Sequence, residues 1–357
     1  MRTTMVYSCA WRAWGSVFAQ STVTLYGILD QGVDFTKSGT SSTTQMQDGG
    51  SAPSRIGFKG SESLGGGLAV NFVLEAGINV GTGAGAAPPS PSIEFGRQAF
   101  VGLSGPWGRV DAGRMYVPMF YAMQPSDPFH ENGVFSPLLL ITQTDGQTGF
   151  ATPYNFRQNN IIQYRSLPSN HLVLGMAYSF GGVPSPDQSS GNSYGGDIGW
   201  NQGPFYGAYS FYKFNSGSAA APVASPATST YQGLSAHYDI TDTMRLSGNY
   251  IRASSDPISG PVAVPVATLL NLGASWTYGL SSFEAGATRR TVADSARGQL
   301  VWVLGYDYHL SKRTSLYVRV LRLDNRGGAS ATIAGVPVIA NSGNGVSSTD
   351  FGISHKF

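Results

Sequence analysis

From Val23 to its last residue the chain alternates between greasy and small or polar side chains. In 23–35, Val23, Leu25, Gly27, Leu29, Val33 and Phe35 fall on one face, and Thr24, Tyr26, Asp30 and Asp34 on the other. Leu68, Val70, Phe72 and Leu74 oppose Asn71 and Glu75 in the same way, and Leu300, Trp302, Leu304, Tyr306, Tyr308 and Leu310 oppose Gln299, Asp307 and His309. A period of two is the signature of a strand, whose successive side chains leave opposite faces. No stretch of ~18 consecutive apolar residues occurs, so a bundle of transmembrane helices is excluded. The fold class is all-β.

The connections alternate as regularly as the side chains. Short ones rich in Gly, Pro or Asn lie at 63–67, 105–108, 166–170, 201–204, 241–243, 279–281 and 311–314. Long ones rich in Ser, Gly, Ala and Pro lie at 37–53, 80–92, 115–155, 181–196, 215–229, 254–267 and 325–346, with a briefer one at 292–297. Tight turns at one rim and long loops at the other are what an antiparallel meander requires, and the segments between them make about 16 strands. A closed barrel of that width leaves an aqueous lumen too wide for side chains to fill. Its greasy face therefore points outward, and closure removes the bare strand edges that lipid does not tolerate. The chain is thus expected to form a 16-stranded antiparallel transmembrane β-barrel spanning 20–357 as a single domain. Its 12% of charged residues, against ~25% in soluble domains, follows from an outer surface that forbids charge. Aromatics near strand ends (Trp276 and Tyr278, Tyr306 and Tyr308, Phe205 and Tyr206, Trp200, Tyr317) read as girdles at the two membrane interfaces.

Residues 1–19 read as an atypical signal peptide. Arg2 precedes a weakly apolar stretch that Arg12 interrupts, and Val17-Phe18-Ala19 supplies a small-residue ending. The one cysteine, Cys9, falls inside it, which removes structural disulfides. The formal net charge of +2 is carried by Arg2 and Arg12, so the remainder is balanced and shows no nucleic-acid footprint. Gly191-Asn192-Ser193-Tyr194-Gly195 matches a nucleophile elbow but sits in a Gly/Ser/Pro stretch rather than a strand-to-helix turn. Gly81-Thr82-Gly83-Ala84-Gly85 leads into Pro88-Pro89, not a helix. His130, His171, His237, His309 and His355 show no metal-ligand spacing. An enzyme, a metal site and a cofactor are not expected.

Six segments carry a family resemblance: STVTLYG (21–27), SRIGFKGSESLGGGL (54–68), GRQAFVGLSGPWGRVDAGR (96–114), NNIIQYRS (159–166), YDYHLSKRTSLY (306–317) and DFGISHKF (350–357). Through them the chain resembles the general bacterial porins, in the branch found in β-proteobacteria. The resemblance implies a homotrimer in the Gram-negative outer membrane, in contact with lipid and lipopolysaccharide, passing small hydrophilic solutes and ions by passive diffusion. It implies that the third long loop, about 115–155, folds inward to narrow the pore, with Asp127, Glu131 and Asp145 on it and Phe129, Phe135 and 138–141 anchoring it. It also implies a basic cluster on the facing wall at Arg55, Arg97 and Arg157, and a last strand whose Phe351, Ile353, His355 and Phe357 are read by the outer-membrane assembly machinery. A substrate-specific channel, or an adhesin or phage receptor built on the long loops, are the alternatives.

Period two places part of the cluster independently. Ile56 and Phe58 take the lipid side, which leaves Arg55 and Lys59 in the lumen; a charge on the lipid face at mid-depth costs ~2–4 kcal/mol. For Arg97 the pattern is ambiguous, because either Gln98 and Phe100 or Ala99, Val101 and Leu103 fit the outward row. Arg114 and Lys37 are further candidates. Rings of fixed charge bias a pore, and the basic wall residues outnumber Asp127 and Glu131, so a mild anion preference is expected.

Overall fold

The computed structural model describes residues 22–85, 92–131, 134–138, 154–167, 171–257, 263–333 and 343–357. Residues 1–19, read as a signal peptide, and residues 139–141 and Asp145 of the third long loop lie outside them. Among the described residues there are 17 strands. The first half of the chain forms β1 (Thr22–Ser38), β2 (Ser41–Asp48), β3 (Arg55–Gly65), β4 (Leu68–Gly77), β5 (Gln98–Gly105), β6 (Gly108–Tyr116), β7 (Arg157–Arg165) and β8 (Leu172–Ser179). The second half forms β9 (Ser193–Gln202), β10 (Phe205–Asn215), β11 (Thr228–Thr241), β12 (Met244–Ser255), β13 (Ala267–Tyr278), β14 (Ser281–Val292), β15 (Gly298–His309), β16 (Thr314–Arg326) and β17 (Val346–Lys356). All the ladders are antiparallel, and sixteen of the strands close a barrel, β1 pairing with β3 on one side and β17 on the other.

The extra strand follows from how the barrel closes. Strand β1 pairs with β3 through Thr22–Ile28 and with β17 through Ile28–Ser38. This half-strand offset is the stagger that tilts strands in a closed barrel. It also leaves the second edge of β1 bare above Ile28. The segment 37–53, expected to be a loop, covers that edge: the chain turns at Gly39 and returns as β2, with Ser41 opposite Ser38 and Asp48 opposite Gln31. Another expected loop, 181–196, gives its end to β9, whose ladder with β10 begins at Ser193 opposite Phe214. Ser193 is therefore a buried strand residue 3.3 Å from the Tyr212 hydroxyl, not an exposed nucleophile.

The alternating rows take the expected sides. Leu29, Val33 and Phe35 are exposed on the outside of β1, whereas Asp30, Asp34 and Thr36 are buried inside. Outward aromatics gather toward the short-turn rim, where Trp276 stacks on Phe283 at 5.5 Å between ring centres and Phe283 meets Tyr306 at 5.1 Å. Adjacent residues cannot share that girdle. Phe205 faces out while Tyr206 is buried inside, and Tyr317 is likewise an inner residue, only 2% exposed.

The connection between β6 and β7 turns into the barrel. Its first piece is a short helix, α1 (Pro118–Met123), with Pro118 in the first turn, where its missing N–H removes no helical hydrogen bond. Met119, Phe120 and Met123 are buried. The loop then follows the wall from β8 to β15, and glycines on the inner rows make room for it. A methyl group at Gly273 would stand 2.5 Å from Pro128 Cδ, and one at Gly305 would stand 3.0 Å from Phe129 Cε1.

Neighbours on one strand provide a check on sidedness. Leu272 is 59% exposed on the outer row, so Leu272→Arg should lower stability by ~2–4 kcal/mol, measured by urea unfolding from phospholipid vesicles.

Candidate functional site

The inserted loop lies on the wall from β8 to β15, and cationic side chains concentrate on the wall made by β3 to β7. Arg55 opens β3 opposite Ile28, on the inner row with Tyr26 and Lys59. Its Nε donates to the Pro53 carbonyl at 2.9 Å. Arg157 opens β7 opposite Tyr116. Its guanidinium carbon lies 4.3 Å from the centre of the Tyr116 ring, and one of its terminal nitrogens donates to the Tyr116 hydroxyl. Among the described residues neither arginine has a carboxylate within ion-pair distance.

Arg97 reaches the same place by an irregular route. Phe100 is buried and Val101 and Leu103 are exposed, so the outer row of β5 is Ala99, Val101 and Leu103. Arg97 shares their parity and would point at lipid if the strand extended back to it. The strand begins one residue later, at Gln98. Freed from the ladder, Arg97 donates its backbone N–H to the Glu75 carbonyl at 3.1 Å and turns its side chain inward. Nε donates to Glu75 Oε1 at 2.7 Å, and a terminal nitrogen donates to the Tyr116 hydroxyl at 2.9 Å. One phenol oxygen thus accepts from Arg97 and Arg157 together. The other oxygen of Glu75 accepts from Tyr26 at 3.0 Å, and the Lys59 ammonium lies 5.3 Å from the Tyr26 ring centre. Arg55, Arg97, Arg157 and Lys59 outnumber the carboxylates that act on them, Glu75 in contact with Arg97 and Asp48 farther off, and leave this patch positive.

Two further candidates stand elsewhere. Arg114 pairs with Ala99 and continues the outward row of Val110 and Ala112, the latter opposite the exposed Val101. It is not part of the basic wall; its guanidinium donates to the Gly96 carbonyl and to Asn159 Oδ1, each at 2.6 Å, near the loop rim. Lys37 is on the outer row of β1 with Phe35.

The loop acids do not face the arginines. Asp127 is 1% exposed and closes a turn, accepting from the backbone N–H of Phe129 at 3.2 Å and of Glu131 at 2.8 Å and from the Ser136 hydroxyl. Glu131 is 7% exposed, and both its carboxylate oxygens, like the Tyr154 hydroxyl, are buried with no hydrogen-bond partner among the described residues. Burial raises both carboxyls above the usual range, and for Glu131 the neighbouring Asp127 charge adds to the effect. The loop is instead held to the wall through its backbone: the Tyr206 hydroxyl donates to the Ala122 carbonyl at 2.9 Å, and Asn249 Nδ2 donates to the Ser126 carbonyl at 2.8 Å.

Glu75, Tyr116 and Tyr26 were not singled out from the sequence. Glu75 was findable, since it ends the inner row of Asn71 and Val73 and a mid-strand carboxylate in such a barrel needs a cationic partner. Tyr116 carried no signal, because its role depends on two strands meeting at one ladder pair. At the other end of the chain, Phe351, Ile353 and Phe357 are exposed in one outer row with His355, and β17 is the strand that closes the barrel on β1.

A closed barrel with an apolar outside, a polar inside and a charged waist is a water-filled membrane channel. The chain belongs to the Gram-negative porin family, whose model matches residues 13–328. It is 29% identical to an outer membrane porin protein of Bordetella pertussis over 85% of this chain and 89% of that one. It is 26% identical to outer membrane porin protein 32 of Delftia acidovorans over the whole of both chains. In structure it is similar to an anion-selective porin from Comamonas acidovorans, with a TM-score of 0.83 and 25% identity over 95% of this chain and 100% of that one. It is accordingly a multi-pass β-barrel of the bacterial outer membrane, from a family of channels rather than enzymes.

The buried carboxyl of Glu131 makes the seat of the loop pH-dependent. Its folded-state pKa is raised, so the folded state binds the proton more tightly than the unfolded chain. Stability is then complete below the unfolded carboxyl value of ~4.3 and falls as pH rises through the folded value. Glu131→Gln, a permanent mimic of the protonated form, should raise the thermal midpoint of the folded barrel at pH 8 and not at pH 4, measured by heat-modifiable gel mobility.

Proposed function

We propose that this porin is a passive diffusion channel with a mild preference for anions, working as a homotrimer. The reading rests on one arrangement: Arg97 and Arg157 meet at the Tyr116 hydroxyl with Arg55 on the same wall, all three half-buried, while Asp127 and Glu131 of the facing loop are buried. Similarity to the anion-selective porin from Comamonas acidovorans supports the same sign.

The mechanism needs no bond-making step. A solute small enough for the waist exchanges part of its hydration for the pore lining, and fixed charge sets which ions enter readily. Arg97 is partly neutralised by Glu75, and Tyr116 holds it beside Arg157 against their mutual repulsion. Among the described residues Arg55 and Arg157 have no ion-pair partner, so their charge is available to a passing anion. The resulting field is one-sided, because the third loop contributes no displayed carboxylate among its described residues.

Assembly is part of the reading. The outer row ending in Phe357 lies on the closing strand, which fits a role for Phe351, Ile353, His355 and Phe357 as the signal taken up by the outer-membrane assembly machinery. The apolar outside would meet lipid and lipopolysaccharide, and 1–19 would direct export.

Reversal potentials across a planar bilayer in a KCl gradient test the reading. The parent channel should favour chloride, Arg55→Ala should move the potential toward zero, and Glu75→Gln should move it further toward chloride. Cation preference in the parent channel would overturn the proposal.

A further inference from the structure

The strand position beside β1 is broken. Between β2 and β3, which lie on the same edge of β1, the residues 49–54 leave the wall and arch into the lumen. What holds the arch is a buried carboxylate. Asp30 is 0% exposed on the inner row of β1, and its carboxylate accepts from the backbone N–H of Ala52 at 3.0 Å and of Ser51 at 3.4 Å. Ser54 clips the far end to the same residue, its hydroxyl accepting from Asp30 N–H at 2.9 Å and donating to the Asp30 carbonyl at 3.1 Å. From β16, the Tyr317 hydroxyl donates to Asp30 Oδ1 at 2.8 Å and so fixes the carboxylate.

The sequence of the arch suits this close contact. Gly49 has φ +79°, a conformation that side-chain-bearing residues rarely adopt. A methyl group at Gly50 would collide with Asp350 and stand 2.6 Å from the Tyr317 hydroxyl. The arch therefore lies directly on the acidic inner row and needs glycine to do so.

Its other side faces the pore. Ser51 and Ala52 line one cavity of about 320 Å³ together with Pro128, Phe129 and His130 of the inserted loop and Arg319 of the wall. Arg319 touches both elements, donating to the Ser51 hydroxyl at 3.4 Å with its guanidinium carbon 5.8 Å from the Phe129 ring centre. The last link runs to the selecting cluster, because the Pro53 carbonyl of the arch is the acceptor that aims Arg55.

We propose that the arch 49–54 is a second constriction element, independent of the third loop, that narrows the lumen and aims Arg55, with Asp30 as its positioning residue. The proposal rests on the channel reading. Asp30 touches no solute; it acts by gathering two backbone N–H groups that would otherwise be free to turn to water. Loss of that acceptor lets the arch lift, which widens the pore and releases Arg55 in one event.

The full chain, refolded and checked for heat-modifiable mobility, is compared in planar bilayers by conductance, reversal potential and exclusion of graded polyethylene glycols. Asp30→Ala and Gly50→Val should each raise conductance about two-fold, admit a larger polymer, and move the reversal potential toward zero. Asp30→Asn, which keeps one acceptor, should fall between them and the parent. Ala52→Cys puts a thiol on the arch, and a bulky methanethiosulfonate reagent added to the open channel should reduce its current. Where Asp30→Ala fails to fold, the Ala52→Cys result decides. Unchanged polymer cut-off and potential in folded Asp30→Ala and Gly50→Val, or a current insensitive to the reagent on Ala52→Cys, overturns the proposal while the parent's conductance leaves the channel intact. A parent that conducts no ions would overturn the channel reading and the arch with it.

Discussion

Every feature of this protein depends on the rule that a peptide group in hydrocarbon must find its hydrogen bond within the protein. The β1–β17 ladder, which joins the first strand to the last, satisfies that rule for the sheet as a whole. It also imposes the stagger that leaves the upper edge of β1 uncovered by β3. Strand β2 is the local answer, and the break between β2 and β3 is what frees residues 49–54 to turn inward. A constraint set by the membrane thus reaches into the lumen through the geometry of closure.

Inside the barrel the governing terms are space and desolvation. The inserted loop lies close to the wall because inner-row glycines such as Gly273 and Gly305 leave room for Pro128 and Phe129. The abundant glycine is in this respect a packing device as well as a turn former. Desolvation then divides the charges into two classes. Asp127 is withdrawn into a turn that its oxygens satisfy, and Asp30 into a strap that it holds, so both are structural. Arg55 and Arg157 remain on the lumen wall without ion pairs among the described residues, and the Tyr116 phenol lets Arg97 and Arg157 approach each other. In the proposed reading, selectivity follows from which charges stay displayed rather than from the overall balance.

The architecture was largely legible in the sequence, and the site only partly. Period-two alternation and the rhythm of short and long connections give the barrel, its sidedness and the inward aim of Arg55 and Lys59. Arg97 was ambiguous because strand parity and strand start disagree there by one residue. Arg114 lies off the basic wall by plain alternation, in the outward row of Val110 and Ala112. Asp127 and Glu131 were assigned to the pore from loop position, but a loop has no period that says which side chains turn back into it. Tyr317 was grouped with the girdle by its neighbours in sequence, yet its strand row faces Asp30.

What the sequence by itself determined is everything that repeats: the sixteen strands that close the barrel, which face meets lipid, which rim bears the long loops, and the membership of the chain in its family. Periodic patterning suffices there because each strand meets the same two media, lipid outside and water inside. What only the tertiary structure decided is everything that happens once: the covering of the upper edge of β1 by β2, the arch over Asp30, the burial of the loop acids, and the convergence of Arg97 and Arg157 on Tyr116. Those depend on contacts between residues far apart in the chain, where a shift of one residue in register exchanges lumen for lipid.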